Sequence, residues 1–418
     1  MRRFACLTVA WFALLQNVSA AEAADTWPSF RGSGANVLAT DNLPVEWSAR
    51  GRKNVAWNVR LAGYGQSCPV LWKDRVFVTA VEGEHKEKLL VQCLSLATGE
   101  RQWMREFAAT QRIKDGDSVS RGAPTPAIDE HGCYALFESG DLVALTHDGG
   151  SLWSRSLVAD YGEFLGPHGY ASSLAQHRDR LLVQVSHRGP SYLLALDKAN
   201  GKNLWKTDLP EQTAWASPLV AAAGGEPLAL VCAGGSLHAF ALANGAPRWQ
   251  IGDLKGNVTP SPACEGKLIV VGSNEPGFTQ AFRLDPLPDR PAEPAWIADK
   301  TTCGYASPLI HRGHVYFVGK TGVAACHDLE SGELRWTERL PGACWATPLG
   351  AGDRIYFVTK DGTTAVVQAG PQYQLLAENE LSFTDVVYGV AAVDGSLLLR
   401  AGRSLARVTT SPQQAQPQ

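Results

Sequence analysis

One phrase recurs along this chain and constrains its fold more than any other feature: a small residue, alternating hydrophobes, a Gly turn and then Trp. Residues 195–205 read ALDKANGKNLW, 93–103 CLSLATGERQW, 239–249 AFALANGAPRW and 326–336 CHDLESGELRW; residues 144–153, ALTHDGGSLW, are one shorter. Trp57, Trp103, Trp153, Trp205, Trp249, Trp296 and Trp336 follow one another at intervals of 40–52 residues. Self-similarity at a period of about 40–50 residues marks a propeller or a solenoid.

A second phrase interleaves with the first. Ser-Pro or an equivalent stands at Cys68-Pro69, Thr125-Pro126, Ser172-Ser173, Ser217-Pro218, Ser261-Pro262, Ser307-Pro308 and Thr347-Pro348, and an eighth slot near Ala391 has lost its Pro. Each slot opens a run rich in Val, Ile, Leu, Phe and Tyr, such as RVFVTA (75–80) or HVYFVG (314–319), and in most units a second run follows before the Trp. Such runs, bounded by Gly, Asp and Asn, read as strands and hairpins. Pro is tolerated at a strand's first residue because it blocks only a terminal ladder bond. Long helical periodicity is absent.

About four short strands per unit is the content of one propeller blade. The expected fold is therefore all-β, an eight-bladed propeller of four-stranded antiparallel blades. The seventh Trp slot holds Leu375, and the last unit lacks a Trp of its own. Trp57 lies before the first slot with no inner strands ahead of it, so residues 54–61 are expected to supply the outer strand of the last blade. That closes the ring and removes an exposed sheet edge. A rival count of seven blades makes one weak unit, the last, an appendage. The expected division is a leader (1–20), an extended strap (21–53), one propeller (54–410) and a disordered tail (411–418). The seven Trp read as structural, docked between blades, where each buries about 150–250 Å².

The leader has the form of an export signal: Arg2 and Arg3, an apolar stretch over 4–15 and small residues before a cut near Ala20. Its apolar core is too short to anchor the chain across a membrane, and no Leu-x-x-Cys stands at its end, so no lipid anchor is expected. A periplasmic or secreted location follows. Eight Cys remain after cleavage, and export permits disulfides. Most fall in or beside strands, as buried small hydrophobes do; Cys303 and Cys344, ahead of successive slots, are the pair to test first. The net charge of −3 comes with no basic run, so no nucleic-acid partner is expected. A monomer is expected.

The positions three before each Pro slot carry the functional signal. They are Gln66, Ala123, Tyr170, Trp215, Thr259, Tyr305, Trp345 and Tyr388, five of them aromatic. They belong to loops entering the innermost strands, which converge at the mouth of a propeller's channel. A ring of aromatics there makes either a plug or an apolar-walled ligand pocket with polar tips. Arg121, His168 and Asn257 stand nearby as polar candidates. Catalytic motifs are missing: no G-x-S-x-G, no HExxH, no P-loop and no G-x-G-x-x-G after a strand. Asp115 and Asp117 resemble only part of a calcium loop. No catalytic or metal-binding residue is assigned.

Together with WPSFRG (27–32), LPVEWS (43–48), GDLVALTHDGGSLW (140–153), GPSYLLALDKANGKNLW (189–205) and GNVTPSP (256–262), the Trp phrase resembles the tryptophan-docking motif of pyrroloquinoline-quinone (PQQ)-type propellers. The set is similar to a secreted PQQ-like propeller family of planctomycete-type bacteria, over nearly the whole mature chain. That family implies the fold and no established reaction. Quinoprotein dehydrogenases, more distantly similar, imply PQQ and Ca²⁺ at the channel under a vicinal Cys pair, with carboxylates and a catalytic Asp; no Cys-Cys exists here. The BamB-like propeller lipoprotein of the outer-membrane barrel assembly machinery implies a non-catalytic protein-binding scaffold. The expected function is an exported binding or scaffold protein, its ligand or partner held at the aromatic channel mouth; the alternative is a PQQ-dependent alcohol or sugar dehydrogenase.

Overall fold

The computed structural model describes residues 25–410 except 117, 224–225, 257–258, 285–292 and 394; the leader and the tail lie outside them. The described strands form eight sheets, each with four antiparallel strands, which in seven of them run in chain order from the axis outward. Blades 1 to 7 open at Val70, Ala127, Ala175, Leu219, Ala263, Leu309 and Leu349. Blade 8 takes three strands from residues 387–409 and its outermost, Val55–Arg60, from the front of the chain. That strand runs antiparallel to Ser404–Thr409, with Asn58 opposite Ala406. The ring therefore closes as the repeat count requires. The helical content is small, as at Leu157–Tyr161.

Burial follows position in the blade. Arg75–Glu82 is buried along six consecutive residues because neighbouring blades cover both of its faces, whereas on the outer strand Leu334–Arg339 only Trp336 is buried. The Trp phrase accounts for this. Its first residue pairs across the hairpin with its last: Ala195 with Trp205, Cys93 with Trp103, Ala239 with Trp249 and Cys326 with Trp336. A small partner leaves the indole room to lean onto the next blade. There its N–H donates to a turn carbonyl: Trp57 to Leu96 (2.9 Å), Trp103 to His147 (2.8 Å), Trp153 to Lys198 (2.7 Å), Trp205 to Leu242 (3.0 Å), Trp296 to Leu329 (2.8 Å) and Trp336 to Gly370 (3.1 Å). The receiving turn is the glycine of the next phrase. Gly201 has φ 68°, and a Cβ there would stand 2.6 Å from the Trp153 ring. Each phrase thus carries both an indole and the socket for its neighbour's.

The strap ahead of the propeller does more than extend. Thr26–Trp27 adds a strand to the inner edge of blade 1, and Val37–Leu38 adds one, in parallel, to the inner edge of blade 7. Between them, Pro28 O accepts from Ile128 N in blade 2 and Gln176 Nε2 in blade 3, and Arg31 Nη2 reaches Pro262 O in blade 5. Residues 26–38 therefore cross the axis of the ring. The chain then passes along blade 7, where Asn379 bonds Trp47 N and Val45 O, before entering blade 8.

All eight Cys among the described residues are free, and all but Cys264 are buried. Cys303 and Cys344, the pair chosen for a first disulfide test, belong to separate core clusters. Burial pushes every thiol up, Cys93, Cys232, Cys326 and Cys344 to about 12. The unfolded chain therefore loses thiol protons first as pH rises past about 8.5–9, and the native state loses stability there. Burial acts the other way on the imidazoles of His177, His187, His238, His311 and His327, which it lowers. The unfolded chain protonates them first as pH drops below about 6.5, and stability falls again. Arg31 and Arg400, held down to about 10 and about 9 by burial, oppose the alkaline loss, as do Lys86 and Arg407, which burial also lowers, but they are four groups against eight thiols. The melting temperature is expected to plateau between about pH 6.5 and 9 and to decline on both sides; a midpoint still climbing above that window would contradict this balance.

Candidate functional site

The hydroxyls ahead of the prolines tie the inner strands into a belt. Each backbone N–H in the belt donates to the hydroxyl of the next blade: Cys68 to Thr125 (3.0 Å), Thr125 to Ser173 (3.0 Å), Ser173 to Ser217 (2.8 Å), Ser217 to Ser261 (2.8 Å), Ser261 to Ser307 (3.0 Å) and Ser307 to Thr347 (3.1 Å). At the eighth position stands Val390, which has no hydroxyl; its backbone N–H donates to the Cys68 thiol, and a Cβ on the preceding Gly389 would lie 2.6 Å from Cys68 Cα.

The belt and the loops leading into it line a cavity of about 540 Å³ on the axis, within the roughly 300–1,000 Å³ range of small-molecule sites. Trp215, Tyr305, Trp345 and Tyr388 come to it from blades 4, 6, 7 and 8. Tyr305 meets Trp345 edge-on at 4.9 Å between centroids, and Trp345 meets Tyr388 at 5.4 Å, so three rings form a continuous arc. On another side Trp215 lies 5.8 Å from His168, and its indole N–H donates to Gly169 O (2.8 Å). The strap pairs with the far ends of the inner strands and contributes Phe30. It thereby floors the cavity and leaves a funnel, not a through-channel.

Two of the proposed site residues sit elsewhere, and one is not described. Tyr170 is buried in blade 3 and donates its hydroxyl to Gln184 O (2.8 Å). The reason is register. In blade 3 the belt residue is Ser173, not Ser172, so the strand entry is displaced by one residue and Ala171 faces the cavity in the place of an aromatic. Arg121 does not line the cavity: it pairs with Asp115 (2.6 Å) and lies over the Tyr64 ring (5.0 Å). Asn257 and Asp117 lie outside the described residues. The sequence reading also passed over Phe30, Asn274 and the belt hydroxyls, all in the lining. The repeated Ser or Thr before each Pro was the available signal for the belt.

One wall, residues 118–120, is fixed from behind. His168 Nδ1 and Ser118 O are 2.8 Å apart, and Ser120 N donates to His168 O (2.9 Å). Buried Lys86 donates to Ser120 O and lies 3.8 Å from buried Glu138, whose carboxylate accepts from Gly122 N at 2.8 and 3.0 Å. Burial holds the Lys86 ammonium below its ordinary value and the Glu138 carboxyl above it.

The lining does not suit PQQ with calcium. Calcium takes six to eight oxygen ligands, largely carboxylate and carbonyl, and a quinone tricarboxylate needs cations. Among the described residues that line the cavity there is no Asp, Glu, Lys or Arg. No cluster of three His, Cys, Asp or Glu able to hold a metal occurs among the described residues.

The fold and its axial funnel define an eight-bladed propeller of PQQ-type repeats. The chain belongs to the family described as outer membrane protein assembly factor BamB, whose model matches residues 28–166, 167–274 and 290–370. No curated protein matches the sequence. Among solved structures it is similar to BamB from Moraxella catarrhalis (TM-score 0.62, 15% identity, covering 87% of this chain and 99% of that one). It is also similar to the quinohemoprotein alcohol dehydrogenase of Comamonas testosteroni (0.67, 13%, 96% and 84%) and to a europium-containing methanol dehydrogenase (0.66, 11%, 90% and 90%). At these identities the likeness is one of fold.

Proposed function

We propose that this chain is an exported, non-catalytic binding protein that holds its ligand in the axial funnel. The observation that carries the reading is the convergence of aromatic rings from four blades on one cavity floored by the chain's own strap. Apolar walls with a few convergent polar groups are the usual make-up of a ligand site. A family of assembly factors agrees with binding in place of chemistry, and the leader agrees with export. The alternative, a PQQ-dependent dehydrogenase, is disfavoured by the uncharged lining.

The mature chain, recovered from the envelope fraction with its N-terminus near Ala21, is expected to give no calorimetric signal with PQQ plus Ca²⁺ and to reduce no dye in the presence of alcohols or sugars. Ligands extracted with it should be lost when Trp215→Ala is combined with Trp345→Ala. Tight PQQ binding with dye reduction would replace this reading by the dehydrogenase, and unchanged ligand retention in the folded double variant would reduce the two rings to packing.

A further inference from the structure

The geometry points to an uncharged saccharide as the ligand of the funnel, an inference that rests on reading the funnel as a ligand site. Three features of the lining select it. The first is charge. With no Asp, Glu, Lys or Arg in the described lining, an ionic ligand would surrender its hydration without a counter-charge, which costs several kcal/mol for an unpaired ion. Cations touch the lining without entering it: the Arg31 guanidinium lies 5.6 Å from the Phe30 ring centroid, Lys360 lies 5.1 Å from that of Trp345, and Lys86 is turned to Ser120 O.

The second feature is the belt. Thr125, Ser173, Ser217, Ser261, Ser307 and Thr347 all line the cavity, and each uses its oxygen to accept a neighbouring N–H. Thr125 also bonds the Cys68 thiol; among the described residues none of the other five hydroxyls donates its proton to the protein. A hydroxyl is one donor with two lone pairs, so the belt presents a row of donors across blades 2 to 7 with acceptor capacity left over. A purely apolar ligand would strand these groups, at about 1–3 kcal/mol for each one left unsatisfied. A ligand rich in neutral hydroxyl and ether oxygens answers them.

The third is the aromatic arc. Tyr305 is 49% exposed although it sits in the mouth, so its ring is presented to solvent instead of spent on packing. The C–H face of a pyranose packs on such a ring through dispersion and weak C–H···π contacts. An apolar face together with a hydroxyl-rich edge, without charge, is the surface of a neutral sugar. Asn274 and Gln66 add amides, which pair with sugar hydroxyls as donor and acceptor at once.

The test titrates the mature chain with malto-, cello- and xylo-oligosaccharides and, in parallel, with oligogalacturonate and a neutral unstructured peptide, followed by calorimetry and tryptophan fluorescence. At least one neutral series is expected to bind with Kd below about 1 mM. Tyr305→Ala should weaken it roughly ten-fold with an unchanged melting temperature, because the side chain is half exposed. If only oligogalacturonate or the peptide binds, and Tyr305→Ala abolishes that binding, the saccharide class is wrong and the funnel reading stands. Absence of binding by every neutral series also overturns the class. Saccharide binding indifferent to both Tyr305→Ala and Trp215→Ala lies outside the funnel and overturns both readings.

Discussion

A chain lacking residues 54–61 is expected to melt more than about 10 °C below the intact mature chain, or to accumulate as insoluble protein. Two losses combine. Trp57 is buried to 7% exposure and donates its indole N–H to Leu96 O of blade 1; truncating such a ring to Ala costs about 3–5 kcal/mol. In a large domain each kcal/mol moves the midpoint by roughly 2–4 °C. Deletion further strips Ser404–Thr409 of its partner strand and leaves an unpaired edge next to the ring's own seam, an invitation to aggregation. Trp57→Ala alone should produce the smaller part of the drop. A synthetic peptide of residues 54–61 should restore much of the remainder by adding back as a strand. A deleted chain that melts with the intact one would mean that blade 8 is held by its neighbours and not by closure.

The ring was legible because its parts repeat. The small residue opposite the Trp, the Gly that receives the preceding indole and the Pro opening the inner strand recur in most blades, so repetition makes the pattern visible, and Trp57 without inner strands points to closure. The site was less legible because it depends on register. The aromatics of blades 4, 6 and 7 reach the mouth at a fixed spacing from Pro, and Tyr388 of blade 8 reaches it at the same place in the repeat although its Pro is lost. Blade 3 has no Pro, so nothing in the sequence says whether Ser172 or Ser173 takes the belt position, and that single step removes Tyr170 from the cavity. The strap was unreadable for a different cause. It makes non-repeating contacts with blades far off in sequence, such as Arg31 with Pro262 and Asn36 with Pro348, and such pairings leave no periodic trace.

Replacing Arg400 should open the same seam from the inside. Arg400 stands across the strand from Gly389, next to Val390, the belt position with no hydroxyl. Its guanidinium crosses to blade 1, where Nη1 donates to Ser67 Oγ (2.5 Å) and Nη2 to Thr79 O (2.5 Å), and Ser67 and Thr79 are themselves hydrogen-bonded (2.9 Å). One fully buried side chain thus ties blade 8 to blade 1 beside the belt. Gly65 belongs to the arrangement, since a Cβ there would fall 2.0 Å from Nη2 and 2.4 Å from Thr79 O. Arg400→Met keeps most of the volume but strands acceptors that each cost about 1–3 kcal/mol when buried unpaired; a loss of about 2–4 kcal/mol in urea unfolding is expected. Arg400→Ala adds an unfilled cavity and should exceed it, and Gly65→Ala should resemble Arg400→Met because it displaces the same guanidinium. The opposing effect is desolvation, which burial shows in holding this guanidinium down to about 9, and which makes some buried charges dispensable when apolar groups replace them. Stability equal to or above that of the parent in Arg400→Met would show that desolvation wins at this position, leaving the seam to the packing of blades 8 and 1 and to Trp57 at the rim.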